Sequence, residues 1–106
     1  MIEEIRVVLI SVPDKNCADG MARTLVEERL VACVNVIPQL TSYYRWNDQI
    51  QCSTELLLVA KTTQARSESL IKRVVELHPY GVPQVVLLPL CDGFEPYCRW
   101  VHDELS

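Results

Sequence analysis

Histidine and cysteine side chains are the first candidates in this sequence for binding a copper or other transition-metal ion. The chain has two histidines and five cysteines: His78, His102, Cys17, Cys33, Cys52, Cys91 and Cys98. Thiolates prefer soft cations such as Cu(I), and imidazole binds divalent transition metals. No two cysteines have CxxC spacing, and their number is odd. We therefore expect free, mostly buried thiols, although Cys91 and Cys98 flank a turn and could approach each other.

His78 stands directly before Pro79, where a predicted helix ends. At a helix C-terminus, a protonated imidazole interacts favourably with the helix dipole and can bond the last carbonyl groups. The alternative is a metal ligand, which needs other donors to converge on the same point. We prefer the helix-terminal role and keep His78 as the candidate metal ligand. His102, beside Asp103, is expected to face solvent.

The length and charge of the chain narrow the classes of protein to which it can belong. Its 106 residues fit a single domain over 1–106, and 49% of them are hydrophobic. The net charge of −4 argues against a nucleic-acid partner. The N-terminal stretch MIEEIRVVLI has acids where a signal peptide has Lys or Arg, and its apolar run is too short to cross a membrane. We expect a cytoplasmic protein with no membrane association.

Hydrophobic periodicity and turn residues predict the element order βαββαβα. Strands are expected over 5–12 and 85–90, a long hairpin over 33–62, and helices over 14–30, from 62 or 63 to 78, and from 96 onward. Asp14 is placed to cap the first helix, and Thr62 or Thr63 the second. Two βαβ-like halves around a hairpin predict an α+β, ferredoxin-like antiparallel sheet with both main helices on one face.

The hairpin, with its turn predicted at Asn47-Asp48, is too long for one subunit to cover. Each arm would hold about fourteen residues, against a usual strand length of about five to six. Pro38 cannot donate to the ladder, so a bulge or bend is expected there. Beyond it, alternation along both arms predicts one apolar and one polar face. The apolar residues are Leu40, Tyr44 and Trp46 on the first arm, and Ile50, Cys52 and Thr54 on the return arm.

A second copy of the same chain is the expected partner of the hairpin. Exposed aromatic residues close together are typical of an interface. Residues 5–12, 56–60 and 85–90 are apolar on both faces of their strands, whereas two helices on one side cover one face. The other face needs a partner sheet, so the pattern predicts an obligate oligomer with closed symmetry. The predicted interface residues are Leu40, Tyr43, Tyr44, Trp46 and Ile50.

Five stretches of the sequence resemble the CutA family of divalent-cation tolerance proteins. They are ERLVACVNVIP (28–38), TSYYRW (41–46), AKTT (60–63), LHPYGVPQ (77–84) and DGFEPYCRWV (92–101). They occur in the family's order and extend over nearly the whole chain. The resemblance implies a ferredoxin-like fold and a tight homotrimer in which the long hairpins wrap onto neighbouring subunits. It also implies an architecture similar to the nitrogen-regulatory PII proteins.

The resemblance further implies a link to tolerance of copper and other divalent cations in bacteria, and to copper binding or acetylcholinesterase assembly in plants and animals. The family's proposed copper ligands are a Cys near the end of the first strand and a His-His pair before Pro-Tyr. By position these fall on Ile10, Leu77 and His78, so one potential ligand of the three is present.

A ligand cleft is a separate expectation from the likeness to PII proteins. By that analogy, clefts between subunits would lie near the junctions of strands and helices. Lys61, Thr62 and Tyr80 stand at such junctions and are our candidates for binding a small anion or another small ligand. The alternative is structural, with Lys61 solvated and Thr62 capping a helix.

Three functions are compatible with these patterns. The first, which we favour, is a non-catalytic trimer associated with divalent-cation tolerance, binding copper, another divalent cation or a small ligand. The second is an acylphosphatase-like hydrolase, which needs an Arg in a phosphate-binding loop where this chain has Val12-Pro13-Asp14-Lys15-Asn16. No Ser/His/Asp or Cys/His arrangement stands out either. The third is a structural trimer that assembles with another protein.

Overall fold

A computed structural model describes residues 2–106 of the chain. Its elements are β1 (Ile5–Val12), α1 (Lys15–Glu27), β2 (Cys33–Trp46), β3 (Gln49–Thr63), α2 (Ser67–Leu77), β4 (Val85–Pro89) and α3 (Glu95–Glu104). The strands form an antiparallel sheet in the order β2-β3-β1-β4. The predicted βαββαβα order and the ferredoxin-like α+β class are confirmed.

One face of the sheet is covered by α1 and α2. Its buried strand residues include Val8, Ile10, Leu58 and Ala60, and the register pairs Val8 with Ala60 and Ile10 with Leu58. Directly paired residues share a face, so these side chains form one apolar layer. The helix residues packed against it are Ala18, Met21 and Leu25 of α1 and Leu70 and Val74 of α2. Their helical spacing holds both helices on this face.

The opposite face of the sheet, which we call the open face, is covered by α3 at one end. There Ile5 packs against Cys98, Val101 and Leu105. Beside the polar Lys61, which pairs with Val7, and Asn35, which pairs with Val59, an apolar area of the open face is half-buried or exposed. Its residues are Val7, Leu9, Leu57, Val59, Val86 and Leu88. The expectation that both faces of these strands are apolar is confirmed.

The hairpin of β2 and β3 turns at Asn47-Asp48, as predicted, and the φ angles of these two residues are 50° and 61°. Its arms contain 14 and 15 residues. The bulge expected at Pro38 is also confirmed. Ile37 pairs with Leu57 and Leu40 pairs with Glu55, so Pro38 and Gln39 together oppose the single residue between those partners.

The predicted division of the distal hairpin into one apolar and one polar face is wrong. The two-residue turn pairs Trp46 with Gln49 and Tyr44 with Gln51, and Tyr43 with Cys52. Because paired residues share a face, even-numbered residues of β2 lie with odd-numbered residues of β3. Tyr44 and Trp46 therefore lie beside glutamines of the other arm, whereas Tyr43 lies beside Cys52, and each face is mixed.

Two helix boundaries also differ from the prediction. The first helix ends at Glu27 rather than near residue 30, because Arg29 adopts a left-handed φ of 56°. The second begins at Ser67, because β3 continues pairing with β1 as far as Thr63. Thr62 therefore caps no helix. The predicted cap of the first helix is confirmed, since Asp14 accepts a hydrogen bond of 2.8 Å from the Cys17 backbone N–H.

Candidate ligand-binding site

A cavity of about 870 Å³ lies between the distal half of the hairpin and the loop over 80–84. Ser11 of β1, Glu55 of β3, Tyr44 and Trp46 of β2, and Tyr80 of the loop are among the residues that line it. Ser11 is two residues after Leu9, and Glu55 is two residues before Leu57. Residues two apart on a strand share a face, so the cavity continues the open face. Its volume is within the range of small-molecule sites, about 300–1,000 Å³.

Glu55 and Tyr80 meet at the inner wall of this cavity. The Tyr80 hydroxyl donates a hydrogen bond of 2.9 Å to Oε2 of Glu55. The Glu55 residue is only 6% exposed, although it is an acid on an antiparallel strand. Burial, together with the bond to Glu55, raises the pKa of Tyr80 to about 12. The phenol therefore stays protonated and keeps donating over the whole physiological pH range.

His78 is buried and holds the start of the 80–84 loop. Its Nε2 lies 2.7 Å from the Ser11 carbonyl oxygen, and its Nδ1 lies 3.1 Å from the Tyr80 backbone nitrogen. A carbonyl accepts and a backbone N–H donates, so Nε2 carries the ring proton and Nδ1 carries none. The expected helix-dipole role is replaced by a different one, because the ring bonds β1 and the loop rather than the carbonyls of α2.

The ring of His78 also contacts the ring of Tyr80, with centroids 4.8 Å apart. A continuous set of contacts thus runs from Ser11 through His78 and Tyr80 to Glu55. It joins β1 to β3 through the loop. The position of the Tyr80 phenol is therefore fixed by its backbone, its ring and its hydroxyl.

The structure does not bring Lys61, Thr62 and Tyr80 together. Thr62 is buried and donates its hydroxyl hydrogen to the Leu30 carbonyl oxygen at 2.7 Å. The Lys61 ammonium donates to Oδ1 of Asn35 at 2.7 Å. Lys61 lies six residues from Glu55 along β3, about 20 Å at the usual rise of 3.3 Å per residue. Of the three candidates, Tyr80 lines the cavity.

The five predicted interface residues lie on two sides of the hairpin. Leu40, Tyr44 and Trp46 share the cavity side with Glu55 and Gln51, as the register requires. Tyr43 and Ile50 lie on the other side and are 73% and 71% exposed. A partner chain that contacts all five must therefore reach around the hairpin.

The residues at the family's proposed copper positions do not fit a copper site. Ile10 is buried in the core, and Leu77 packs against it. Both ring nitrogens of His78 are held in hydrogen bonds, so neither has a free lone pair to offer a metal. Within residues 2–106, no three His, Cys, Asp or Glu side chains come together to hold a metal ion.

The cysteines carry free thiols in varied surroundings. Cys98 is buried, Cys17 and Cys33 are half-buried, and Cys52 and Cys91 are exposed. The expectation of mostly buried thiols is therefore only partly met. The Cys33 thiol lies 3.3 Å from the Tyr97 hydroxyl, and burial together with this contact raises the pKa of Tyr97 to about 12. The Cys33 side chain thus bonds to α3 on the open face.

Glu55 is the site residue that sequence reasoning missed. It stands immediately before the apolar run Leu56 to Ala60, where an acid on the same strand face as Leu57 is unexpected. A charged residue at a strand position that the two-residue period places on a half-buried face is a signal for a site residue. Its partner Tyr80 is 25 residues away in sequence. Local patterns carry no information about such a pair.

Comparison with known proteins agrees with this architecture. The sequence model described as CutA1 divalent ion tolerance protein matches residues 6–104. The chain belongs to the CutA1 divalent ion tolerance family. It is 48% identical over 97 residues to the divalent-cation tolerance protein CutA of Thermus thermophilus, covering 92% of this chain and 94% of that protein. A solved structure of a divalent cation tolerance protein from Thermus thermophilus superposes with a TM-score of 0.94 at 46% identity, covering 96% of this chain and 99% of that one.

Longer CutA proteins match over part of their length. The Arabidopsis thaliana protein named chloroplastic CutA is 38% identical over 97 residues, which is 92% of this chain and 53% of that protein. The chain therefore spans about half of this plant CutA. In the described part of the chain, none of the helices has the length and apolar character needed to cross a membrane.

Proposed function

We propose that this protein is a non-catalytic, cytoplasmic homotrimer associated with divalent-cation tolerance, with PII-like binding of a small ligand in clefts between its subunits. The open face is the observation that carries this proposal. Leu9 and Val59 at its centre are paired neighbours, and Val86 and Leu88 at its edge are exposed. An apolar sheet face of this extent is typical of a surface covered by another subunit.

The energy available from covering the open face is large. Full burial of a Val or Leu side chain contributes about 1.5–3 kcal/mol, and this face carries six such residues that are only partly covered. The exposed Tyr43 and Ile50 on the far side of the hairpin add further apolar surface. Closed rotational symmetry would cover the same face on every subunit, because each copy supplies both halves of the contact.

Two observations support a non-catalytic role. The names of the relatives describe tolerance to divalent cations and state no reaction. In addition, the loop after β1 places the Asp14 carboxylate on the first turn of α1, where it accepts from the Cys17 N–H. An acyl phosphate approaching that helix end would meet a negative charge. This disfavours the acylphosphatase-like alternative, which an assay of acyl-phosphate hydrolysis tests directly.

The link to cation tolerance does not require a metal ligand at His78. The two hydrogen bonds of its ring would have to break before a metal could bind. We therefore assign tolerance to the ligand binding and contacts of the trimer rather than to chelation at the family's proposed copper positions.

Sedimentation equilibrium at micromolar concentration tests the assembly. We expect a trimer, and a stable folded monomer would overturn the proposal.

Trp46→Ala is expected to weaken assembly more than Trp100→Ala does. The two residues make a matched pair, since Trp46 on the hairpin is 54% exposed and Trp100 on α3 is 43% exposed. Equal effects of the two substitutions would remove the hairpin from the interface.

A further inference from the structure

The charges of the cavity suggest which ligands it accepts. Among residues 2–106, the charged residues that line it are Glu55, which lies on the cavity side, and Arg45, whose pairing with Ile50 places its side chain on the other side of the hairpin. Glu55 is buried, whereas Arg45 is exposed near the hairpin tip. Arg45 pairs with Ile50, five residues from Glu55 along β3, a separation of about 17 Å. Solvent screens an exposed charge far more than a buried one, so the inner part of the cavity is effectively negative.

The Glu55 carboxylate is only partly satisfied. It accepts one side-chain hydrogen bond within residues 2–106, from the Tyr80 hydroxyl to Oε2. A carboxylate can accept several bonds from its two oxygens. Oε1 of Glu55 is not among the buried polar atoms that lack a partner, so it is accessible, and a cationic donor beside it would make a charge-assisted hydrogen bond.

Aromatic rings surround the same space. Tyr44 and Trp46 lie on the cavity side of β2, and Tyr80, which is bonded to Glu55, lines the same cavity from the loop. A cation near the face of an aromatic ring is attracted by the negative charge of its π system. Tyr80 is held by its backbone bond to His78, its ring contact with His78 and its hydroxyl bond to Glu55. This part of the site is therefore held in place by contacts within the protein.

We propose that the cavity binds a small organic ammonium cation, with the ammonium group beside Glu55 and the alkyl part against Tyr44, Trp46 and Tyr80. The inference deepens the proposed function and rests on it, since it names the ligand class that this cavity would hold in each subunit of the trimer. It also replaces the small anion expected from the position of Lys61, because an anion at Tyr80 would meet the buried carboxylate.

A set of three probes of equal chain length tests the charge preference. In a Trp100→Phe variant, Trp46 is the remaining tryptophan, and its fluorescence reports on the cavity. This variant is titrated with n-butylammonium, butan-1-ol and butyrate at constant ionic strength. Phosphate buffer is used, since Tris is itself an ammonium compound. We expect saturable binding of n-butylammonium, about tenfold or more tighter than of either other probe.

Glu55→Gln tests whether ligand binding depends on the charge of the Glu55 side chain rather than on its shape. The amide keeps the size of the side chain and an oxygen to accept from Tyr80, so the fold is expected to persist. Affinity for n-butylammonium should fall about tenfold or more. Glu68→Gln is the matched control, because Glu68 is exposed on α2, which covers the other face of the sheet. Near-ultraviolet circular dichroism verifies the fold of both variants.

The outcomes separate this inference from the proposed trimer. Sedimentation equilibrium is measured on the samples used for titration. A trimer that binds n-butylammonium through Glu55 supports both. A trimer that binds none, binds butyrate or butan-1-ol as tightly, or is unaffected by Glu55→Gln overturns the ammonium site. A monomer that binds n-butylammonium with loss on Glu55→Gln overturns the trimer and supports the site.

Discussion

The hydroxyl of Tyr80 donates to the buried carboxylate of Glu55 across 2.9 Å, and this contact joins the loop after α2 to the middle of β3. Burial and this bond together raise the pKa of Tyr80 from its ordinary value of 10 to about 12. The pair therefore links the protonation of one phenol to the stability of the fold.

Stability is expected to fall as the pH rises from 10 to 12, in part because of Tyr80. In that range the unfolded chain loses the phenol proton while the folded chain keeps it, so the folded state binds more protons. Below pH 10 the contribution is fully present. Urea unfolding at fixed protein concentration across this range measures how steeply the free energy of unfolding falls with pH. Tyr80→Phe should reduce this slope.

Tyr43→Phe is the control for that experiment, since Tyr43 is largely exposed on the other side of the hairpin. It should leave the alkaline slope unchanged. Some slope will remain in Tyr80→Phe, because the pKa of Tyr97 is also raised to about 12. Identical slopes in the wild type and in Tyr80→Phe would contradict the role assigned to the Glu55 bond.

Removing the His78 ring should destabilise the fold by about 2–3 kcal/mol, since His78→Ala leaves a buried carbonyl at Ser11 and the N–H of Tyr80 without partners. His102→Ala should cost less than about 0.5 kcal/mol, because the contact of its ring with Glu4 is part-exposed. Urea unfolding of both variants compares the two costs. A loss at His78 no larger than that at His102 would refute its structural role.

The same His78→Ala variant tests metal binding. We expect its affinity for Cu(II) to stay close to that of the wild type in calorimetric titration, since both ring nitrogens are already bonded. A large fall in affinity, in protein shown to be folded at the titration temperature, would restore His78 as a copper ligand.

Local features of this fold were predictable from the sequence because their causes are local. Asp14 caps α1 with its own side chain, and Asn47-Asp48 turns the hairpin because these residue types tolerate a positive φ. The bulge at Pro38 follows from the missing N–H of proline. The ferredoxin-like class followed from the order of such elements.

The cap itself can be tested. Asp14→Ala is expected to lower the free energy of unfolding by about 1 kcal/mol, because the Cys17 N–H loses its acceptor. Asp19→Ala should cost a few tenths of a kcal/mol, since Asp19 makes an exposed ion pair with Lys15 one helical turn away. Urea unfolding distinguishes these values. Equal losses would mean that the Asp14 side chain does not contribute as a cap.

A substitution in the hairpin turn should raise the stability of the protein rather than lower it. Asp48→Gly should stabilise the protein by about 0.5–1 kcal/mol, because glycine adopts a positive φ without the steric cost of a Cβ atom. Gln49→Gly, one residue into β3, should instead destabilise it, since glycine weakens a strand. Thermal unfolding at one protein concentration compares them, and a lower melting temperature for Asp48→Gly would contradict this account.

The cavity could be predicted only in part, for reasons that are not local. Tyr80 was placed at a ligand cleft, but its partner Glu55 is 25 residues away and the His78 acceptor on Ser11 is 67 residues away. Lys61 looked equivalent to Tyr80 because both stand near junctions, yet the sheet register separates it from Glu55. The two sides of the hairpin were misassigned although its turn was placed correctly, because a two-residue turn sets Trp46 opposite Gln49 and so puts even-numbered residues of one arm with odd-numbered residues of the other.

The bulge at Pro38 and Gln39 changes which residues of β2 face each side of the hairpin. Before it, even-numbered residues of β2 point towards the helices, as Val34 does, and beyond it they point to the cavity, as Tyr44 does. Inserting one residue in each arm would invert every side chain out to the turn. Two residues in each arm would preserve them all. The hairpin can therefore lengthen only by two residues in each arm at a time, about 7 Å, if Tyr44 and Trp46 are to stay on the cavity side.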